Sequence, residues 1–494
     1  MCESEAALAA RLCQTGMSKD AIVSAFRASI CNGTSLIDEL AASGATDEAI
    51  ARAIAAELGL AFASLPEGAT IVASSAAYLA GPSHTRQLTV VTTERELLYF
   101  LAPTMANVSE LKKIMSRNPD AKSGLRITTL PQLLDYIRSY HGSELMENCV
   151  HRIDGMEPER SSRVVLSGNQ GMVVGAAASF ILLGLTFHLH ELWRAYHFAS
   201  LMFFFACIVL RFMAMLRAKY PSPKSIHVPQ RRSTYPFYSV MIALYKEAAV
   251  VPQLTLAMQK LNWPRSRLEV LFLCEADDAE TLKAFEKQSL PHGFKVVPVP
   301  NIGPRTKPKA LNYGLQLSRG EFIVVYDAED RPHPDQLIEA WQRFEVSESK
   351  LACLQAPLVV SNASACLLSR LFAFEYAVHF AGMLPWLAGH RFILPLGGSS
   401  NHFRRACLDA AGGWDPFNVT EDAELGARLA RCGYDVGVIS RPTLEDAPTC
   451  VDPWLRQRTR WIKGWVHTWL VEMRNPAAFL RDVGVRRFIY SRPL

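Results

Sequence analysis

Residues 322–330 read Phe322-Ile323-Val324-Val325-Tyr326-Asp327-Ala328-Glu329-Asp330. A short apolar run of this length, closed by charge, predicts a fully buried strand that delivers acids at its carboxyl end. Outward from it, Val240–Leu244, Leu268–Cys274 and Phe294–Val299 are apolar runs of similar length. Helical patterns lie between the runs, over Pro252–Leu261, Ala279–Gln288 and Lys309–Leu317. Strand and helix in alternation predict a doubly wound α/β sheet. Such sheets bind ligands beyond the carboxyl ends of their strands, so the polar residues after each run are the candidates.

Those positions collect acids. The first run leads into Tyr245-Lys246-Glu247, the second into Glu275-Ala276-Asp277-Asp278 and the fourth into Asp327-Ala328-Glu329. Two acids one residue apart after a buried strand can turn both carboxylates toward a divalent cation, which would share its oxygen ligands with a diphosphate. Farther on, Thr420-Glu421-Asp422 opens a helical stretch. One reading is a plain helix start, with Thr420 as cap and acids in the first turn. The other is a catalytic carboxylate. Gln457-Arg458-Thr459-Arg460-Trp461 follows, shortly before Trp465; by itself it also fits an amphipathic segment on a membrane surface.

The order Glu247, Glu275/Asp277, Asp327-x-Glu329, Thr420-Glu421-Asp422, Gln457-x-x-Arg460-Trp461 resembles the processive members of glycosyltransferase family 2, the group of the cellulose, chitin and hyaluronan synthases. The resemblance spans about Tyr235 to Trp465 and includes Lys309 and Asn312 in a donor-site segment. It implies a GT-A (Rossmann-like) domain and inverting transfer from a nucleotide-sugar, with UDP the family norm, to the end of a growing beta-linked polysaccharide. In that frame Asp422 is the general base, with Glu421 beside it. Asp327 and Glu329 hold Mg²⁺ or Mn²⁺. Tyr245, Glu247, Glu275, Asp277, Lys309, Asn312, Gln457 and Arg460 serve the donor, and Trp461 stacks on the acceptor sugar. Two departures stand out: Glu329 and Glu275 occupy positions where the family more often has aspartate. The alternatives are a non-processive family 2 transferase adding one sugar to a lipid or glycan, and a membrane receptor with a dead transferase.

Composition agrees with an enzyme carrying membrane helices. Of 494 residues 49% are hydrophobic and 20% charged, and a net charge of +5 with no basic stripe gives no case for nucleic acid. Gly171–Phe187 has no charge and Phe198–Leu216 has only Arg211, each long enough to cross the hydrocarbon core. Arg152, Arg160 and Arg163 precede this hairpin; Arg217, Lys219, Lys224, Arg231 and Arg232 follow it; Arg194 lies between. The asymmetry puts both flanks, and the domain after the hairpin, on the cytoplasmic side; a bacterial inner membrane is the expected location. The first residues lack a basic segment followed by an apolar core, so no signal peptide is expected.

Residues 1–143 form an alanine-rich region with Leu36, Leu40, Ile50, Ile54 and Leu58 at helical spacing and Gly44 and Gly59 as helix stops. It resembles the small N-terminal domain of type II secretion ATPases, some of which bind cyclic di-GMP. The ligand-binding form carries Arg-Leu-Gly and a later Gln, where this chain has Ser35-Leu36-Ile37 and Glu57. An interaction domain for a regulatory protein partner is therefore expected. The remaining divisions are a linker over 144–167, two transmembrane helices over 168–220, the GT-A domain over 235–465, and an interfacial segment over 466–494 too polar for a full span. Further membrane helices are expected beyond it.

Overall fold

The computed structural model describes residues 3–14, 16–72, 85–118, 122–217 and 234–490. Its central element is a seven-stranded sheet: β1 Tyr238–Leu244, β2 Leu268–Glu275, β3 Phe294–Val299, β4 Phe322–Tyr326, β5 Leu351–Gln355, β6 Asn401–Arg404 and β7 Asp435–Val438. The spatial order is β7-β5-β6-β4-β1-β2-β3. Strands β1 to β4 run parallel, β6 is antiparallel to β4 and β5, and β7 is parallel to β5.

The sheet is mixed because β6 reverses, and this half was not legible as strands. Asn401-His402-Phe403-Arg404 mixes polar and apolar residues; His402 and Arg404 are bonded inside the protein, and Asn401 donates to the Gly397 carbonyl at 2.6 Å while its buried Oδ1 has no partner among the described residues. His402 shares a 2.6 Å hydrogen bond with the Tyr238 hydroxyl, which also explains why β1 starts two residues before the apolar run.

Successive side chains of a strand point to opposite faces, so each buried strand feeds two cores. Met241, Leu271, Leu273, Ile323 and Val325 pack under helix Lys307–Leu317, through Leu311 and Leu315. Val240, Ile242, Phe272, Val324 and Tyr326 pack on the other face against Leu254 and Met258 and against Leu337 and Phe344. The first helix crosses closely: a Cβ at Gly314 would lie 2.6 Å from Leu273.

The N-terminal region folds as four helices, Glu3–Gln14, Lys19–Asn32, Leu36–Ala42 and Asp47–Leu58, followed by a five-stranded sheet. Ser18, Ser35 and Thr46 cap three of these helices through their hydroxyls. Gly59 ends the fourth in the left-handed conformation, as expected, and Gly44 follows the third at φ +102°. Glu57 accepts from Arg11 at 3.0 Å and from Lys112, so it ties helices together.

The expected linker at 144–167 is corrected. Helix Leu130–Met156 runs through its first half, 27 residues bent at His141. Leu145, Met146, Cys149, Val150 and Ile153 are buried at spacings of three and four along one face, a pattern hidden by the polar residues around it. The helix packs on the domain of the seven-stranded sheet, where Asn312 donates to the Cys149 carbonyl at 3.2 Å. Nearer the amino terminus, Ser266 donates to Glu39 at 2.6 Å and Arg267 pairs with Asp38 at 3.3 Å.

The apolar helices are Gly168–Phe187 and Leu189–Arg217, separated by His188 alone. The second begins at Leu189 rather than Phe198, because His190, Glu191 and Arg194 cost a helix little outside the apolar stretch. Phe180, Phe204 and Leu216 point outward. Among the described residues three helices are long and apolar enough to cross a membrane, these two and Leu367–Gly389, which is partly buried. The flanking Lys219, Lys224, Arg231 and Arg232 lie outside the described residues. The boundary expected at 465/466 falls inside helix Val451–Glu472, and Pro476–Tyr490 is a further helix.

Candidate active site

The turn after β4 is built by its last acid. Asp330 is buried and accepts the backbone N–H of Asp327 at 2.7 Å and the Ser399 hydroxyl. With Asp330 Oδ2 engaged inside the turn, Asp327 and Glu329 are left nearer the surface of the strand end.

Asp327 meets a cation that sequence reasoning missed. Lys307, the first residue of helix Lys307–Leu317, places Nζ 2.6 Å from Asp327 Oδ1 and also donates to the Gly398 carbonyl. Burial opposes its charge, but Asp327, Asp422 and Glu421 outweigh burial and raise the ammonium pKa. The only available signal was its place two residues before Lys309 in Lys307-Pro308-Lys309. Lys309 itself is corrected: it has no exposure and is fixed 2.9 Å from Glu275, also buried. That pair faces the interior, and the charge at the acid cluster is Lys307. Asn312 is likewise internal, donating to the Trp414 carbonyl at 2.7 Å and accepting its N–H at 2.9 Å.

Glu421 and Asp422 open helix Glu421–Arg431 and are both buried. A first-turn position favours the charged form, but burial dominates and pushes both carboxyls up. For Asp422 the charge of Glu421 adds to burial, and Lys307 opposes it. Thr420 occupies the cap position without making a side-chain cap bond. Instead it packs on helix Val451–Glu472, where a Cβ at Gly464 would lie 2.2 Å from Thr420 Cγ2. Gly464 therefore lets the helix bearing Gln457, Arg460 and Trp461 press against the start of the Asp422 helix.

A second group of acids surrounds Asp327. Burial raises the carboxyl pKa values of Glu247 and Glu329, and the charge of Asp327 raises both further. Glu445, on the short strand Thr443–Glu445, is pushed up to about 7 by burial, with Asp327 and Glu329 adding to it against a hydrogen bond from Tyr376. Glu445 was not singled out from sequence, since a lone acid in Thr443-Leu444-Glu445 carries no pattern.

Tyr245 and Asp277 come together at the ends of β1 and β2 through Arg305, a residue also missed. Its guanidinium donates to the Tyr245 hydroxyl at 2.8 Å, sits 4.9 Å from that ring's centroid and pairs with Asp277. On the other side, Arg460 is exposed and Gln457 has a buried Oε1 with no partner among the described residues. The Trp461 ring is half-buried beside Phe372, centroids 6.3 Å apart, and Arg458 lies 4.7 Å over it.

Residues 236–464 match the family model described as glycosyltransferase like family 2. This stretch is a glycosyltransferase family 2 domain on a GT-A sheet. Similar proteins include the "Probable glycosyltransferase YdaM" of Bacillus subtilis, 30% identical over 238 residues, covering 46% of this chain and 55% of the relative. The beta-monoglucosyldiacylglycerol synthase of Trichormus variabilis is 26% identical, covering 48% of this chain and 50% of the relative. The "Probable glucomannan 4-beta-mannosyltransferase 6" of Oryza sativa is 29% identical, covering 47% and 42%. The chain thus spans about half the length of these relatives. Among solved structures, a mannosyltransferase of Pyrobaculum calidifontis in complex with GDP-Man and Mn²⁺ aligns with TM-score 0.42 and 17% identity, covering 59% of this chain and 85% of that one.

Proposed function

We propose that the chain is a membrane-bound family 2 glycosyltransferase that moves a sugar, with inversion, from a UDP-sugar to the end of a growing beta-linked glycan on the cytoplasmic side of a bacterial inner membrane. One observation carries the reading: Lys307, bonded to Asp327, also feels the charges of the Glu421–Asp422 pair. A carboxylate that can take a proton and an acid site suited to a metal–diphosphate are thereby joined through a single cation.

The chemistry follows from those positions. The acceptor hydroxyl attacks the anomeric carbon and forms the new C–O bond while the bond to the diphosphate oxygen breaks with its electron pair. Asp422 takes the hydroxyl proton. A carboxyl already raised by burial and by Glu421 holds a proton better than an ordinary aspartate, which suits a base. Lys307 stabilises the charge that grows on the leaving diphosphate. Around Asp327 the carboxyls of Glu247, Glu329 and Glu445 are all raised, by burial first and then by the charge of Asp327, a concentration of acids that fits a divalent cation. Among the described residues no group of three or more His, Cys, Asp or Glu is placed to hold a metal alone, in keeping with an ion that takes its other ligands from phosphate. Asp327 and Glu329 would hold Mg²⁺ or Mn²⁺, which supplies charge neutralisation at the diphosphate. Tyr245, Asp277 and Arg305 form the edge that would take the nucleoside.

Transfer of a single sugar to a lipid acceptor is the second reading, favoured by the Arg458 guanidinium covering Trp461 where a sugar would stack. The N-terminal region is read as an interaction domain for a regulatory protein. Membranes bearing the full chain are incubated with labelled UDP-sugars and Mg²⁺ or Mn²⁺, and product length is read on a gel. Polymer ladders support repeated addition and a single product supports the second reading. No transfer from any donor, or full transfer by Asp422→Asn, overturns the assignment.

A further inference from the structure

Away from the acids, a cavity of about 560 Å³ opens between the N-terminal region and the catalytic domain. Its catalytic-domain wall comes from residues at the starts of the strands: Phe237 before β1, Arg267 before β2, Phe294 opening β3 and Arg319 before β4. The cavity is thus at the opposite edge of the sheet from Asp327, and no residue of the three apolar helices lines it.

Its polar lining is crowded with cations. Arg267 and Arg319 lie on the Phe237 ring, 4.5 and 4.8 Å from the centroid. Arg267 is matched by Asp38 at 3.3 Å, yet its buried Nε has no partner among the described residues. Arg319 and Lys295 share one carboxylate, Glu269, at 3.2 and 3.8 Å. Arg86, from the N-terminal side, makes no ion pair among the described residues, and Asp47 is the remaining acid of the lining. Arg86, Arg267, Lys295 and Arg319 thus line the cavity with two carboxylates, Asp38 and Asp47, while Glu269 lies outside the lining. Burial and the neighbouring Arg319 work against the charge on Arg86, and Asp38 opposes them.

The cavity also touches the end of a lever. Thr129, Leu130 and Pro131 line it and begin helix Leu130–Met156. Near the far end of that helix, Cys149 accepts from Asn312 and Val150 abuts Gly303, where a Cβ would lie 2.7 Å from the valine. Gly303 belongs to the loop that carries Arg305 and Lys307 into the active site.

We propose that this cavity binds a small soluble anion bearing one or more phosphate groups, and that its occupancy is transmitted along helix Leu130–Met156 to the loop holding Arg305 and Lys307. Guanidinium groups on two domains recognise phosphate oxygens with charge-assisted hydrogen bonds and are drawn together by them. The binding half stands apart from the proposed activity; only the meaning of the loop's response rests on it.

The test uses inorganic pyrophosphate and the full-length chain in detergent, with EDTA present, read by calorimetry. Arg86→Gln should weaken binding about 10-fold, the loss of one charged contact, and Arg86→Lys should restore part of it. Lys307→Met, which removes the cation of the donor site, should bind pyrophosphate as the parent does. In that Lys307→Met background, pyrophosphate should also change amide exchange over residues 301–307. Equal binding by Arg86→Gln and the parent, or no binding at all, overturns the site. Loss of binding in Lys307→Met alone would place pyrophosphate in the donor site and overturn it too. Unchanged exchange over 301–307 overturns the coupling. Retention of the parent's thermal transition by Arg86→Gln separates lost binding from lost folding, and Arg86→Lys decides the matter if that transition shifts.

Discussion

Lys307 Nζ lies 2.6 Å from Asp327 Oδ1, and the same ammonium group feels the charges of Glu421 and Asp422. Acids separated by nearly a hundred residues of chain thus share one counter-charge. Lys307→Met should cut sugar transfer by about 100-fold, the scale seen when one preorganised stabilising group is lost. Steady-state transfer from labelled donor measures it; a loss under 3-fold would show that Lys307 only satisfies Asp327.

The metal reading predicts that turnover stops in excess EDTA and returns with Mg²⁺ or Mn²⁺. Asp327→Asn should stay inactive at any concentration of either ion. Full activity in EDTA would refute the role assigned to Asp327 and Glu329.

The contact of Gly464 with Thr420 gives a two-position test. Gly464→Ala puts a methyl group 2.2 Å from Thr420 Cγ2, so one helix must move. Transfer should fall about 10-fold or more, and adding Thr420→Gly should recover part of it. If the double variant is no better than the single one, the loss comes from elsewhere in the helix.

These residues show what the sequence could and could not display. Strands β1 to β4 and the acids at their ends were readable because buried parallel strands are continuous apolar runs. The antiparallel half was not, since Asn401 and His402 are polar core residues, and His402 is held by Tyr238 and Gln336 from distant parts of the chain. Lys307 and Lys309 have the same side chain two positions apart, yet one faces the acids and the other is sealed beside Glu275. Only the helix phase separates them. Glu445 and Arg305 carry no local pattern, and their partners arrive from other elements.

Glu445 should give stability a pH dependence. Its folded carboxyl is raised to about 7, so the native state binds its proton more tightly than the unfolded chain does. The stabilisation is complete at low pH and is lost as pH rises through about 7. Glu424, also raised to about 7, acts in the same window. Glu445→Gln should therefore flatten part of the fall in thermal midpoint as pH climbs toward neutrality, leaving the share of Glu424. An unchanged profile would show that burial, with Asp327, Glu329 and Asp446 beside it, does not raise Glu445 as described.

Trp461 and Arg458 separate the two readings of the acceptor. If a sugar stacks on Trp461, Trp461→Ala should cost about 1–3 kcal/mol of acceptor affinity while UDP binding persists. Arg458→Ala should then uncover the ring and tighten acceptor binding. Weaker acceptor binding by Arg458→Ala would mean that the guanidinium itself holds the acceptor.

Helix Leu130–Met156 imposes a condition on the spacing of the chain. An α-helix turns 100° per residue, so one residue inserted between Gly142 and Cys149 would swing Val150 a quarter turn or more away from Gly303. Insertions there should be tolerated only in steps close to whole turns, three or four residues at a time. Evolution can therefore exchange the N-terminal domain for another only if the replacement arrives in angular phase with the donor loop, whatever its sequence.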